Sequence, residues 1–325
     1  MLKPLTLGNT TFPVNIIQGP LAGISCAPFR RLTWRYSKPA FSCTEMISCK
    51  TILHQPQQSL ARYIQKDPQE GPVCFQLSGS DPKELSEAVK RVTEHGADLI
   101  DLNCGCPVKK IRGRGAGSKL LTNTPVLYQL IRAMKESTHL PVSVKIRVEI
   151  TDEKFNDEVA QVVTDAGADF LVVHGRHWTQ HYETPCRHDE IAFFVDRLKI
   201  PVIGNGDIAC VESLKKMYAT GCAGVMIGRA GVGQPWLIAK LIAAMQGQSY
   251  EIPADNEICD VLIEHVTSLA ELLQSEKFAV LQARTFAKYY ARHLLYRAEF
   301  HNSINQSSDL ASFTTICRHF LKSKQ

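Results

Sequence analysis

The sequence predicts a (β/α)8 TIM barrel over residues 1–242, followed by a smaller all-α domain over residues 243–325. Three observations predict it. Eight short apolar runs recur between Val14 and Gly228, most followed by an amphipathic stretch, as parallel strands joined by crossover helices require. Several amphipathic stretches share one ending, in which a glycine stops the helix and a strand begins within a few residues. Beyond about Ala243 the strand units cease and longer helical patterns take over.

The runs are Val14–Gln18, Ala40–Met46, Pro72–Ser78, Ala97–Asn103, Pro141–Val148, Ala168–His174, Pro201–Asn205 and Gly224–Gly228. Helical periodicity lies between them, at Pro82–His95, Thr124–Thr138, Asp152–Ala166, Asp189–Leu198 and Val211–Ala219. Asp81-Pro82 and Asn123-Thr124-Pro125 each put a capping residue before a helix-opening proline. Gly96, Gly167 and Gly221 mark the repeated helix ends. A doubly wound open sheet is the alternative, but the unit count is eight and no Gly-x-Gly-x-x-Gly follows the first strand. In the C-terminal part, Glu257–Leu273 and Phe278–Ala298 read as two long helices, and the remainder to Gln325 as helical too.

Bulk properties narrow the class. A chain of 325 residues, 44% hydrophobic and 21% charged, has ample material for a full core. A net charge of +5 tolerates a polyanionic ligand without demanding one. Eleven cysteines without framework spacing predict reduced thiols and a cytoplasmic home. Met1–Thr11 lacks the apolar core of a signal peptide. The most apolar window, Gly221–Met245, is interrupted by Arg229, Pro235 and Lys240, so no membrane span is expected. No protein partner is indicated.

Barrel enzymes carry their chemistry at the C-terminal ends of the strands. Those ends here are polar or glycine-rich, and this is the main sign of an enzyme. The fourth ends in Asn103, Cys104, Gly105 and Cys106, ahead of a mobile basic loop with Lys109, Lys110, Arg112, Arg114 and three glycines. A free thiol titrates near about 8.5, so Cys106 is mostly protonated at neutral pH and usable as a general acid or as a nucleophile. Lys145 and Arg147 share one face of the fifth strand, and His174 ends the sixth. Lysine and histidine can stabilise the negative charge of a reduced flavin, whereas a lysine in a barrel can also form a Schiff base or serve structurally. Gly204-Asn205-Gly206 and Gly228-Arg229-Ala230-Gly231 sit where many barrels hold a phosphate. His174, His177, His181 and His188 match no ligand spacing, so no metal is expected. Arg284, Lys288 and Arg292 fall four apart among Tyr289, Tyr290, His293 and Tyr296, which suits either a nucleic-acid backbone or a solvated helix face.

These residues resemble the tRNA-dihydrouridine synthase family. The similarity runs through Pro20-Leu-Ala-Gly-Ile-Ser-Cys-Ala-Pro-Phe-Arg-Arg31, Gln76-Leu-Ser-Gly-Ser80, Asn103-Cys-Gly-Cys-Pro-Val-Lys-Lys110 and Gly115-Ala-Gly-Ser-Lys-Leu-Leu121, and on through Val144-Lys-Ile-Arg147, Val173-His-Gly-Arg176, Ile203-Gly-Asn-Gly-Asp207 and Met226-Ile-Gly-Arg229. It covers the barrel in order and the C-terminal part more loosely. The resemblance implies bound FMN, NADPH as electron donor, and tRNA as substrate. Pro20, Leu21 and Ala22 would line the flavin by backbone. Gln76 and Lys145 would contact its ring and His174 its edge, while Asn205, Gly206, Asp207, Gly228 and Arg229 would hold the phosphate end. Cys106 would protonate C5 of a uracil whose C6 receives hydride. Asn103 would orient that uracil, with Arg147 and Arg176 beside it and Arg284, Lys288 and Arg292 on the RNA backbone.

Three departures stand out. Cys26 replaces a usual acidic residue, Cys104 replaces an apolar one, and residues 177–188 keep Gln180 and Tyr182 but lack other family positions. The rival readings are a flavin barrel acting on a free pyrimidine, like a dihydroorotate dehydrogenase, a non-catalytic RNA-binding protein, and a lysine Schiff-base lyase.

Overall fold

The computed structural model describes residues 1–149 and 152–322. Two short antiparallel strands, β1 (Leu5–Leu7) and β2 (Thr10–Phe12), open the chain. The parallel sheet follows: β3 (Ile16–Gln18), β4 (Ser42–Cys43), β5 (Ile47–Ser48), β6 (Val73–Ser78), β7 (Leu99–Cys104), β8 (Val142–Arg147), β9 (Phe170–His174), β10 (Val202–Asn205) and β11 (Gly224–Ile227). From β5 to β11 each strand pairs with the next, β11 pairs with β3, and β4 bridges β3 and β6, so the sheet closes into an eight-position barrel. The fold class expected from the sequence is the one observed.

The barrel helices are α1 (Ala27–Ser37), α2 (Cys49–His54), α3 (Gln57–Ile64), α4 (Pro82–Glu94), the short turn α5 (Lys109–Arg112), α6 (Thr124–Ser137), α7 (Glu153–Asp165), α8 (His188–Arg197), α9 (Val211–Tyr218) and α10 (Leu237–Met245). Local chemistry sets their ends. The Asp81 carboxylate accepts from the amides of Lys83 and Glu84, and Asn123 Oδ1 from that of Val126. Gly96, Gly167 and Gly221 take φ of 82°, 79° and 82°, the left-handed exit that lets each helix stop and turn into the next strand.

Strand alternation divides the core. Outward residues such as Val73, Ile100, Leu102, Val144 and Val173 pack beneath the helices. Inward residues at the strand starts, among them Leu99, Phe170 and Ile203, form a separate apolar cluster with Leu5, Leu7 and Phe12. The β1–β2 hairpin therefore stoppers the N-terminal end of the barrel. Toward the other end the inward positions turn polar.

Four further helices complete the chain: α11 (Asp255–Leu273), α12 (Glu276–Tyr290), α13 (Arg297–Gln306) and α14 (Leu310–Lys322). Their apolar faces share a core with Phe29 and Leu32 of α1 and with Trp236. Polar contacts reinforce that junction. Arg35 grips Glu264 of α11 through both terminal nitrogens, at 2.7 and 2.6 Å, and Arg31 reaches the same carboxylate at 3.0 Å. Gly233 touches the backbone of Tyr289 so closely that a Cβ there would lie 2.4 Å from its carbonyl carbon, so only glycine allows α12 this near the barrel.

The structure corrects several expectations. The second run is two strands, because Glu45 leaves the ladder to bury its carboxylate against Arg62, at 2.9 and 3.0 Å, and the Gly23 amide. The basic loop is folded, with α5 and a 3-10 turn at Gly117–Thr122 in place of the expected mobile connection. The expected helix Phe278–Ala298 is broken after Tyr290, where the chain turns so that Arg292 can donate to the carbonyls of Ala230 and Val232. Hairpin β1–β2 and helices α1–α3 had no counterpart in the expectations. The C-terminal expectation to Gln325 extends beyond α14 onto residues 323–325, which lie outside the described residues.

His265 of α11 is buried against the Phe286 ring, 4.3 Å between centroids, with Nδ1 3.0 Å from the Tyr290 hydroxyl. Burial, and secondarily Arg31, lowers its pKa to about 3. An unfolded imidazole titrates near about 6.5. The depressed folded value therefore contributes stability that is complete above the unfolded pKa and is lost as pH falls from there toward the folded one. Urea midpoints should show a loss of roughly 1.5 kcal/mol between about pH 6.5 and 5 that His265→Gln removes.

Candidate active site

The inward positions near the strand ends converge. A cavity of about 470 Å³ opens at the C-terminal ends of β3 and β8–β11, between Pro20 and Leu21 on one side and Asn205, Gly206 and Arg229 on another. Lys145, His174, Asp207 and Gly228 also line it, as do Met226 and Tyr289. The expected cofactor residues are thus largely brought together. Gln76 lies outside the lining, buried inside the barrel, and Ala22 lies in the neighbouring loop.

Lys145 reaches across to Asn205, Nζ to Oδ1 at 3.0 Å, while Asn205 Nδ2 donates to the Met226 carbonyl at 2.8 Å. The second bond sets the amide so that its oxygen faces the ammonium. Desolvation lowers the Lys145 pKa to about 8; Asp101 opposes the shift and Arg147 adds to it. His174 is held neutral for the same reason. Burial comes first, then the positive field of Lys145, Arg147, Arg176 and Arg229, and together they push its pKa far below the usual range. Its Nε2 lies 3.1 Å from Arg176 Nη1, an arrangement that assigns the ring proton to Nδ1.

The two arginines expected to meet substrate have other work. Arg176 is buried, and all three of its guanidinium nitrogens are engaged: Nε donates to the Thr184 carbonyl at 2.5 Å, Nη2 to the Tyr182 carbonyl at 3.0 Å and Asp207 at 2.5 Å, and Nη1 meets His174. Arg147 donates to the carbonyls of His177 at 3.0 Å and Gln180 at 3.4 Å. Both hold the loop of residues 177–188 over the barrel mouth, because loop carbonyls at that depth need donors. On that loop Tyr182 lies across the Arg229 guanidinium at 3.6 Å, and Trp178 packs against Arg112 of α5 at 3.2 Å. Sequence reading did not foresee these stacks, because the partners come from different strand ends.

Asn103 and Cys106 sit one strand over from Lys145, with Asn103 in register with it. Asn103 Oδ1 accepts from the Cys106 amide at 3.0 Å, and the thiol-bearing residue is half-buried. Cys104 points outward into the helix-facing core, which explains how it stands in for an apolar residue. Cys26 is buried at the start of α1, its pKa raised to about 12, mainly by desolvation. The expected basic face on α12 is not continuous. Arg284 donates to the Ser307 carbonyl, Lys288 is exposed beside Tyr289, and Arg292 lies beyond the helix and lines the cavity. No group of three or more His, Cys, Asp or Glu residues that could hold a metal occurs among the described residues, and none of their helices is long and apolar enough to cross a membrane.

The lining suits a planar ring with a phosphorylated tail. Pro20, Leu21 and Met226 offer apolar contact, Lys145 a positive charge, and Arg229 a guanidinium beside glycine backbone. A Cβ on Gly228 would meet nothing nearer than Leu21 at 3.9 Å, so that backbone stays approachable from the cavity.

Comparison with known proteins agrees with this geometry. The family model described as dihydrouridine synthase matches residues 17–325. The probable tRNA-dihydrouridine synthase 1 of Synechocystis sp. is 34% identical over 318 residues, 95% of this chain and 88% of that protein. The tRNA-dihydrouridine synthase B of Pseudomonas aeruginosa is 31% identical over 327 residues, 100% of this chain and 98% of that one. Among solved structures, morphinone reductase in complex with tetrahydroNAD superposes with a TM-score of 0.56 at 12% identity, covering 79% of this chain and 93% of its own, which is a likeness of fold. The chain belongs to the dihydrouridine synthase family.

Arg176→Met should lower unfolding free energy by roughly 3 kcal/mol, because it strands buried acceptors on the 177–188 loop. Denaturant titration reads the change, and Arg176→Lys, lacking the fork, should recover little of it.

Proposed function

We propose that the protein reduces the C5=C6 bond of uridines in tRNA, with FMN bound in the cavity and NADPH as the electron donor. One observation carries the reading beyond family membership. A half-buried thiol, Cys106, lies two residues beyond β7, the strand beside the one that sends Lys145 into a cavity suited to a flavin.

FMN bound there supplies the hydride that adds to C6 of the uracil. The chain's own groups do the rest. Arg229 and the backbone at Gly206 and Gly228 would hold the phosphate, and Pro20 and Leu21 would line the ring, with Ala22 next to them in the same loop. Lys145, its pKa near 8, is mostly charged at neutral pH and offsets negative charge developing on its neighbour. Neutral His174 offers a hydrogen-bonding edge without adding a second cation. Asn103 orients the base, and the Cys106 thiol delivers its proton to C5 as hydride arrives at C6, which leaves a thiolate to be reprotonated from solvent. A uridine inside folded tRNA has to be extruded into the pocket. Lys109, Lys110 and Lys119 beside the Cys106 loop and exposed Lys288 meet phosphates. Arg284 and Arg292, with some donors already committed to carbonyls, contribute field more than direct contact.

The purified protein should show flavin absorption bands that bleach on anaerobic addition of NADPH. Cys106→Ala should keep the bleaching and lose at least about 100-fold in dihydrouridine formation. Retained dihydrouridine formation in that variant would remove Cys106 as the proton donor. Activity on free uracil or orotate but not on tRNA would favour the free-pyrimidine reading. Binding to tRNA should weaken steeply with salt, and Lys288→Ala should reduce the slope of log K against log salt by about one.

A further inference from the structure

Three buried side chains stand in series behind the Cys106 loop, and the chemistry above leaves the first of them without a role. Asp101 lies inward on β7, two residues before Asn103, and is 3% exposed. Its Oδ1 accepts from Ser143 Oγ at 2.6 Å and its Oδ2 from Gln76 Nε2 at 2.8 Å. With its nitrogen committed to the carboxylate, Gln76 presents Oε1 to Asn103, whose Nδ2 donates to it at 2.8 Å. Asn103 is then left with Oδ1 for the backbone amides of Cys106 at 3.0 Å and Gly105 at 3.3 Å. An ionised carboxylate offers acceptors only, so it decides which way round both amides stand.

We propose that Asp101 is a positioning residue for the reaction: its carboxylate, acting through Gln76 and Asn103, orients the acceptor that holds the Cys106 backbone and thereby the thiol. With Asp101 ionised, every bond in the series runs from donor to acceptor. A neutral group at that position can donate to Gln76 Oε1 instead. Gln76 then turns over, Asn103 follows, and an N–H faces the Cys106 N–H. The loop loses its anchor.

The surroundings place this switch within reach of ordinary pH. Desolvation raises the Asp101 pKa to about 6, against the opposing pull of Ser143, Gln76 and Lys145. The charged or titratable groups facing it are Lys145 from β8 and Cys74 from β6, with Cys43 of β4 beside Cys74 and Lys145, while Cys104 of its own strand points away on the opposite face.

The catalytic meaning of this inference rests on Cys106 as proton donor, but the position of the loop can be read without turnover. Cys106 is half-buried, Cys210 is exposed, and the other cysteines are buried, so a thiol reagent followed by peptide mass spectrometry compares Cys106 with Cys210 in one molecule. The ratio of their rates cancels the pH dependence common to thiols. In the full chain it should be flat above about pH 7 and rise about threefold as pH falls through about 6, the equivalent of one modest hydrogen bond lost. Asp101→Asn should show the raised ratio at every pH. The double variant Asp101→Asn, Asn103→Asp should restore the low ratio, because the reversed series again ends in an acceptor for the Cys106 amide.

A melting temperature lowered in Asp101→Asn with the ratio unchanged would mean a purely structural carboxylate and would overturn the proposal. So would a wild-type ratio that stays flat from about pH 5 to 8, a measurement that decides the matter even if the variant fails to fold. Retained activity in Cys106→Ala would instead strike the proton-donor role and leave the labelling result standing.

Discussion

Closure of the barrel is the constraint on which the rest depends. Once β11 pairs with β3, every second residue of each strand is committed to the interior, and there is no edge at which an awkward side chain could reach water. The interior therefore has to be solved as a stack. Apolar residues with the β1–β2 hairpin fill the lower part, and a polar tier of Gln76, Asp101, Asn103, Ser143, Lys145, His174 and Asn205 fills the upper part. Polar groups so deeply buried are stable only when they satisfy one another, which explains why each is hydrogen-bonded, Gln76, Asp101, Asn103 and Ser143 in one series, Lys145 with Asn205, and His174 with Arg176. The same burial depresses Lys145 and His174 and raises Asp101. Perturbed acidity here is a direct result of architecture.

A second junction joins the helical part to that tier. Helix α1 belongs by sequence to the first barrel unit, yet its apolar face enters the core of α11 and α12, and Arg31 and Arg35 converge on Glu264. Gln282 of α12 reaches back to the Gly23 carbonyl at 2.8 Å, beside the loop that lines the cavity. Tyr289 and Arg292 then enter the cavity wall itself. One end of the site is in this way built by the C-terminal helices, and a change in their packing is felt at the residues around Pro20 and Arg229.

Much of this was legible in the sequence, for identifiable reasons. Strands buried on both faces read as continuous apolar runs, and helix ends announce themselves through capping residues and left-handed glycines. The strand-end residues of the cavity follow from the same reading, since barrel topology gathers them wherever they lie in the chain. What escaped depends on partners that only the fold supplies. Glu45 breaks its strand for an arginine in α3. Arg147, Arg176, Arg284 and Arg292 look like free cations in sequence, but remote backbone carbonyls occupy them. Asp101 went unremarked inside an apolar run, because its meaning needs the register that sets Gln76 on one side and Ser143 on the other.

The pairing of β3 with β11 also bears on the order in which the molecule assembles. Ile16 aligns with Val225, so the first barrel strand finds one of its two neighbours only after some two hundred further residues have been synthesised. Until then the growing sheet has open edges at both ends, and Asn15, which donates to the carbonyls of Met1 and Ala223 in the finished protein, lacks the second of these partners. Contacts of such separation close slowly and leave strands available for wrong pairing. The last barrel unit and the helices that seal α1 thus follow the rest of the barrel out of the ribosome, and the cavity at the strand ends is completed only once Tyr289 and Arg292 have been made.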